Sequence, residues 1–173
     1  MGESSISISK SKKGIVGDMV FLVIGLILLA TGAYVGHLIT QSVNTQIQGS
    51  GFISAEGKNA SGTIAAGQAS WIDNAFLMVF AGLILALLVG SYFIDASPLF
   101  FIFGVLGLVI LLTVAAMMSN WFQLFSAADA FIGYSGAYPK MYFIMSHLVE
   151  ILLLTGLLAL AVTFVKPGRS SPI

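Results

Sequence analysis

Apolar runs of about 20 residues or more recur four times along this chain, with polar stretches between them. The two central runs, AFLMVFAGLILALLVGSYFI (75–94) and LFFIFGVLGLVILLTVAAMM (99–118), are joined by Asp95-Ala96-Ser97-Pro98. As helices, each is roughly 30 Å long, the thickness of a bilayer's hydrocarbon core. A four-residue link cannot lead the chain back across a membrane, so the second helix returns antiparallel. Ser97 suits the N-cap of that helix and Pro98 its first position, where no backbone N–H is missed. The first run extends from Ile15 or Met19 to about Ile39. Lysines before it and small residues from Ala30 to Gly36 imitate a signal peptide, but the run exceeds the 7–15 residues usual for a signal core, so it reads as an uncleaved span. The fourth run covers Met141 to Val165 and ends at Lys166-Pro167-Gly168-Arg169. The pattern predicts an all-α polytopic membrane protein with four transmembrane helices and a central helical hairpin. The spans fall near 17–39, 75–94, 99–118 and 142–165, within a single transmembrane domain over 15–173 that follows a polar inner tail, 1–14.

The polar stretches refine this picture. In 40–74 the composition turns to Gln, Asn, Ser, Thr and Gly. Ile39, Val43 and Ile47 recur every fourth residue, predicting that the first helix continues as an amphipathic extension until Gly49-Ser50-Gly51 ends it. The remainder of this outer loop reads as irregular or short-stranded. Trp71, just before the second span, reads as an interfacial anchor, as do Trp121 and Tyr138 in the small-residue segment 119–141. Three basic residues in the N-terminal tail (Lys10, Lys12, Lys13) and two in the C-terminal tail (Lys166, Arg169) oppose only Lys58 and Lys140 on the other side. By the positive-inside rule both termini lie inside.

Composition enters as confirmation of the solvent. Of 173 residues 58% are hydrophobic and 8% charged, against about 25% charged in soluble domains; mean hydropathy is +1.01. Seven basic residues balance seven acidic ones, which argues against a broad cationic face for nucleic acid. The absence of cysteine excludes disulfides and thiolate chemistry. No repeat with a solenoid period is present, and no His-Glu-x-x-His, Gly-x-Ser-x-Gly or phosphate-binding glycine loop occurs, so neither a catalytic residue nor a cofactor or metal site is assigned.

A few residues remain as candidates for special roles. Gly32 and Gly36 form a Gly-x-x-x-Gly pair; with Gly25 and Thr31 they lighten one face of the first helix, reading as a packing seam inside the bundle in preference to a dimer motif. Asp18, Asp73, Asp95 and Asp129 stand at helix ends or in loops, where capping or solvation accounts for them, and His37 lies near the outer end of the first span. His147 and Glu150 are the exception: three residues apart, they share a helix face, with Glu150 some ten residues into the fourth run. An ionised carboxylate there costs several kcal/mol unless paired or protonated, so an intramembrane polar pair is expected. Asn59-Ala60-Ser61 fits the glycosylation pattern, one too common to assign use.

The segment from Ser97 to Val165 resembles small multi-pass membrane proteins of bacterial and archaeal viruses whose virions contain a lipid membrane. The resemblance lies in Ser97-Pro98 opening a span, the span's end at Ser119-Asn120-Trp121-Phe122-Gln123-Leu124-Phe125, and Tyr138-Pro139-Lys140 leading into the last helix. It implies a structural role in a virion membrane, touching capsid or vertex proteins through loops and tails; together with the absence of catalytic patterns this predicts a non-enzymatic component whose partners are the lipid bilayer and other membrane or capsid proteins, with a homo-oligomer left open. The alternative is a pore, holin-like protein or small subunit of an ion-translocating complex that uses Glu150 and His147.

Overall fold

The computed structural model describes residues 15–93 and 98–165 and is helical throughout, with no strand among the described residues. Helix α1 runs Ile15–Gly49, α2 Ala55–Tyr92, and α3 Pro98–Ser126. A 3-10 turn at Asp129–Phe131 and short α4 (Tyr134–Ala137) lead to α5 (Pro139–Ser146) and α6 (Leu148–Val165). The 94–97 turn with Asp95 and the Ser97 cap, both tails and the Asp18 side chain lie outside the described residues.

Three helices are long and apolar enough to cross a membrane, and the α5–α6 pair, bent by 67° at His147, makes a fourth if counted as one span. The chain is thus a multi-pass membrane protein. Its outer surface carries Phe21, Leu28, Phe103 and Leu154, each more than 60% exposed, while Val23, Phe76 and Phe122 are fully buried. Helices apolar on both faces need lipid as their solvent.

The helices form a ring in which α1 packs on α2 and α3, and α6 on α2 and α3. α2 and α3 run antiparallel, as the pattern predicts, but their main neighbours are α1 and α6 and not each other. The core stripe of α1, Val23, Leu26, Ile27, Ala30, Ala33 and Tyr34, repeats every three to four residues and meets Phe76, Phe80, Leu111, Ala115, Phe122 and Met145. Close backbone approach occurs between α3 and α6. A Cβ on Gly104 would lie 2.8 Å from Leu160 Cδ2, and one on Gly156 would collide with Leu108 Cδ1. By contrast Gly32 is exposed with nothing within 4 Å of a built Cβ, and Gly36 approaches only Gln68 Nε2 at 4.0 Å. The expected seam within the bundle is therefore not at the Gly32/Gly36 pair, because the larger residues of α1 take the inward face.

Helix replaces the irregular loop expected after residue 50. With 35 and 38 residues, α1 and α2 are about 52 and 57 Å long, so both continue well past the bundle as a projecting hairpin. Ser54 caps α2 by accepting from Gly57 N at 3.2 Å, and Glu56 in the first turn complements the helix dipole. The Gly, Ser and Asn of 55–70 are poor helix formers, but tertiary bonds offset their propensity. Gln48 Nε2 donates to Lys58 O (2.8 Å), Ser61 Oγ to Asn44 Oδ1 (2.9 Å) and Gln41 Nε2 to Ala65 O (3.4 Å).

Candidate functional site

Two regions concentrate the polar and aromatic side chains: the end of the bundle from which the α1–α2 hairpin projects, and the hairpin itself. At the bundle's end α3 continues beyond the expected span to Ser126, whose hydroxyl donates to Gln123 O at 3.0 Å. The chain then folds back through the 3-10 turn. Gly133, at φ +91°, supplies the left-handed bend that opens α4, and Pro139 occupies the start of α5.

Asp73 fastens this returning segment. Although it belongs to α2, its Oδ1 accepts from Met141 N at 2.8 Å and its Oδ2 from Lys140 N at 3.2 Å. Those are the second and third positions of α5, whose own N-cap residue, Tyr138, makes no side-chain cap bond. A buried carboxylate thus caps a helix that follows it by more than 60 residues, and Lys140 Nζ donates to the adjacent Asn74 Oδ1. Capping or solvation at a helix end or in a loop was the expected role for Asp73; it stands instead within α2 and caps a different helix, because α2 begins at Ala55, well before the start expected near residue 75. Its target was not legible, because the partner amides are remote in sequence.

Above this cap lies an aromatic cluster. Tyr34, fully buried, stacks on Tyr138 (centroids 5.5 Å, 27°) and meets Phe122 edge-on at 5.5 Å, with Phe125, Phe131 and Tyr134 about 6 Å away. His37 meets Tyr134 and Tyr138 edge-on at 4.7 and 5.4 Å. Tyr138 is therefore a core residue and not the interfacial anchor expected, since the returning segment turns its ring inward onto α1. Burial, reinforced by Tyr134 and Asp73, pushes its hydroxyl up to about 12. The hydroxyls of Tyr34 and Tyr138 and His37 Nδ1 are buried with no hydrogen-bond partner. The cluster is held by ring packing, at about 0.5–1.5 kcal/mol per pair beyond burial. Trp71, 81% exposed, and Trp121, stacked on Phe125 at 5.4 Å, face outward.

His147 and Glu150 are not brought together. His147 is the C-cap of α5: its backbone N donates to Phe143 O, its ring stacks on Phe143 at 4.5 Å, and its Nδ1 lies 3.0 Å from both Ser146 Oγ and Phe143 O. Glu150 is exposed in the first turn of α6, where the helix dipole favours its charge. The 67° break separates them, and no hydrogen bond or ion pair joins them among the described residues. The break also shifts the fourth span. The 18 residues of α6 reach about 27 Å alone, so Glu150 stands near the end of that span on the side of the projecting hairpin and not ten residues deep.

Lower in the bundle, Leu22, Val23, Phe80, Leu111, Leu152 and Gly156 line an apolar cavity of about 30 Å³. The fold and its exposed apolar surface define a multi-pass helical membrane protein with a soluble-side helical projection. Comparisons with protein-family models, curated proteins and solved structures find no match.

Proposed function

We propose that this protein is a non-enzymatic structural component of a membrane assembly, with the projecting α1–α2 hairpin as the element that meets other proteins. The observation that carries this reading is the hairpin's inside-out construction. Gln41, Asn44, Gln48 and Ser61 are engaged between its helices, while Ile39, Val43, Ile64 and the tip residue Phe52 face outward, Phe52 with its whole surface free. Leaving the fully exposed Phe52 in water forgoes roughly 1.5–3 kcal/mol of burial, and the part-exposed Val43 and Ile64 forgo a corresponding fraction, which a covering partner would recover. The likeness of 97–165 to membrane proteins of lipid-containing viruses supports a virion membrane, with capsid or neighbouring membrane proteins as partners. The five basic residues of the tails support both termini inside and the hairpin outside.

Replacing Phe52 and Ile53 together by serine tests the role. Membrane insertion and melting should match the parent chain, while recovery with particles purified from the source should fall at least fivefold. Unchanged recovery, or particles that lack the parent chain, refutes the reading. For orientation, a membrane-impermeant thiol reagent applied outside should label cysteine at Ser54 but not at Ser5 or Ser170; the opposite labelling inverts it. Pore or ion-translocating activity would replace the structural reading if purified protein dissipated an ion gradient in liposomes and Glu150→Gln abolished that flux.

A further inference from the structure

We infer that the cavity at the centre of the helix ring is a binding site for a neutral lipophilic molecule carrying a carbonyl oxygen, with Thr155 as the group that recognises it. Helices α1, α2, α3 and α6 all line the cavity. Val23, Phe80, Leu111, Thr155 and Gly156 are buried and form its floor, while Leu83 and Leu87 are half-buried at its rim, so one side is open. Thr155 is the one lining residue with a polar side chain. It is 8% exposed, and its hydroxyl makes no hydrogen bond among the described residues. The other threonines show how unusual this is. Thr40, Thr45, Thr63, Thr113 and Thr163 each donate to the carbonyl four residues back, at 2.8–3.0 Å. Thr155 has Ile151 O at the same offset and leaves it unused. Thr31 also lacks a partner, but its oxygen is fully enclosed, whereas that of Thr155 keeps accessible surface beside the cavity. A hydroxyl in apolar surroundings costs free energy unless it is hydrogen-bonded, so this donor marks where an acceptor fits.

The chemistry of the occupant follows by elimination. Thr155 lies in the middle of α6, about 10 Å from that helix's start, so the site is at hydrocarbon depth. A buried water makes about three hydrogen bonds, and the lining offers one polar side chain. A charged ligand finds no charged residue in the lining and pays heavily for its depth. Plain hydrocarbon leaves the hydroxyl unpaired. An alcohol or amine that accepts from Thr155 brings a hydrogen of its own with no acceptor to receive it. A ketone or ester oxygen has lone pairs and no hydrogen, so Thr155 donates to it and nothing is left unmatched. Size agrees with this division. A cavity of about 30 Å³ admits about one or two heavy atoms, set against the roughly 150 Å³ that accepts benzene. It therefore seats the carbonyl group, and the hydrocarbon remainder leaves through the open side past Leu83 and Leu87.

The site goes beyond the proposed structural role and is tested apart from it, on the purified full-length chain in an alkyl glucoside detergent, which contains no carbonyl. The probe is methyl nonyl ketone, isotopically labelled at its carbonyl carbon and followed by infrared spectroscopy. Bound ketone should give a second carbonyl band at lower frequency than the micellar one, the mark of an accepted hydrogen bond, and the band should saturate at one ketone per chain. Thr155→Ser should keep it. Thr155→Val, which fills the same space without the hydroxyl, should lower its area at least fivefold while the melting temperature matches the parent. Liposomes of ester-linked and of ether-linked phospholipid separate the sources of the carbonyl. Loss of the shifted band in ester-linked lipid alone assigns the seat to a lipid's own ester, and retention in both assigns it to a dissolved ketone; either keeps a carbonyl in the site. Loss in both lipids, no shifted band at saturating ketone, or an equally strong band in Thr155→Val would overturn the inference.

Discussion

Replacing Asp73 with alanine removes two hydrogen bonds and one buried charge from the join between α2 and α5. In the parent, the carboxylate accepts from Met141 N at 2.8 Å and Lys140 N at 3.2 Å. A lost N-cap costs about 0.5–2 kcal/mol, and a buried N–H left without an acceptor costs about 1–3 kcal/mol. These contributions overlap, so the expected destabilisation is roughly 2–4 kcal/mol. At about 2–4 °C per kcal/mol for a chain of this size, melting in detergent should fall by roughly 5–15 °C. Asp73→Asn keeps one acceptor oxygen but not the charge, and should lose about half as much. Hydrogen exchange gives the local readout: the Lys140 and Met141 amides should lose protection in Asp73→Ala before the amides of α1 do. A melting shift below about 1 °C, with both amides still protected, would refute the capping role, because α5 would then be held by its apolar contacts alone.

Tyr34→Phe should change stability by less than about 0.5 kcal/mol, because the buried hydroxyl makes no hydrogen bond; Tyr34→Ala should cost about 3–5 kcal/mol by emptying the centre of the ring cluster. Denaturation of the purified chain compares the two, and equal losses would contradict the packing account. Gly156→Leu should destabilise by about 1–3 kcal/mol or more through collision with Leu108, whereas Gly32→Leu should leave the melting temperature of the detergent-dispersed monomer unchanged.

His147 marks a hinge: Ile151 N bonds to its carbonyl at 3.0 Å to start α6 while its ring closes α5. Glu150, three residues on, has the position of an N-terminal acidic residue on a helix dipole, which makes an ionised carboxylate tolerable near the interface without a paired cation. A local bend thus removes the energetic problem that a straight fourth helix would have posed.

Much of the architecture was written in the one-dimensional pattern. Runs of about 20 apolar residues leave a chain no other compact solution in lipid, where every backbone N–H must be satisfied within its own helix; the all-α multi-pass fold follows from the sequence alone. So does the end of α1 at Gly49, where glycine and serine break the periodicity. Other features depended on partners that periodicity cannot see. Residues 55–70 are helical because Gln48, Asn44 and Gln41 of α1 supply the bonds that their weak propensity lacks. The Gly32 face points outward because Tyr34 and the larger residues of α1 occupy the core, and Tyr138 is buried because Asp73, remote in sequence, draws the start of α5 against α2. Local chemistry set which segments enter the membrane, and long-range hydrogen bonds and ring packing decided which of their faces meet.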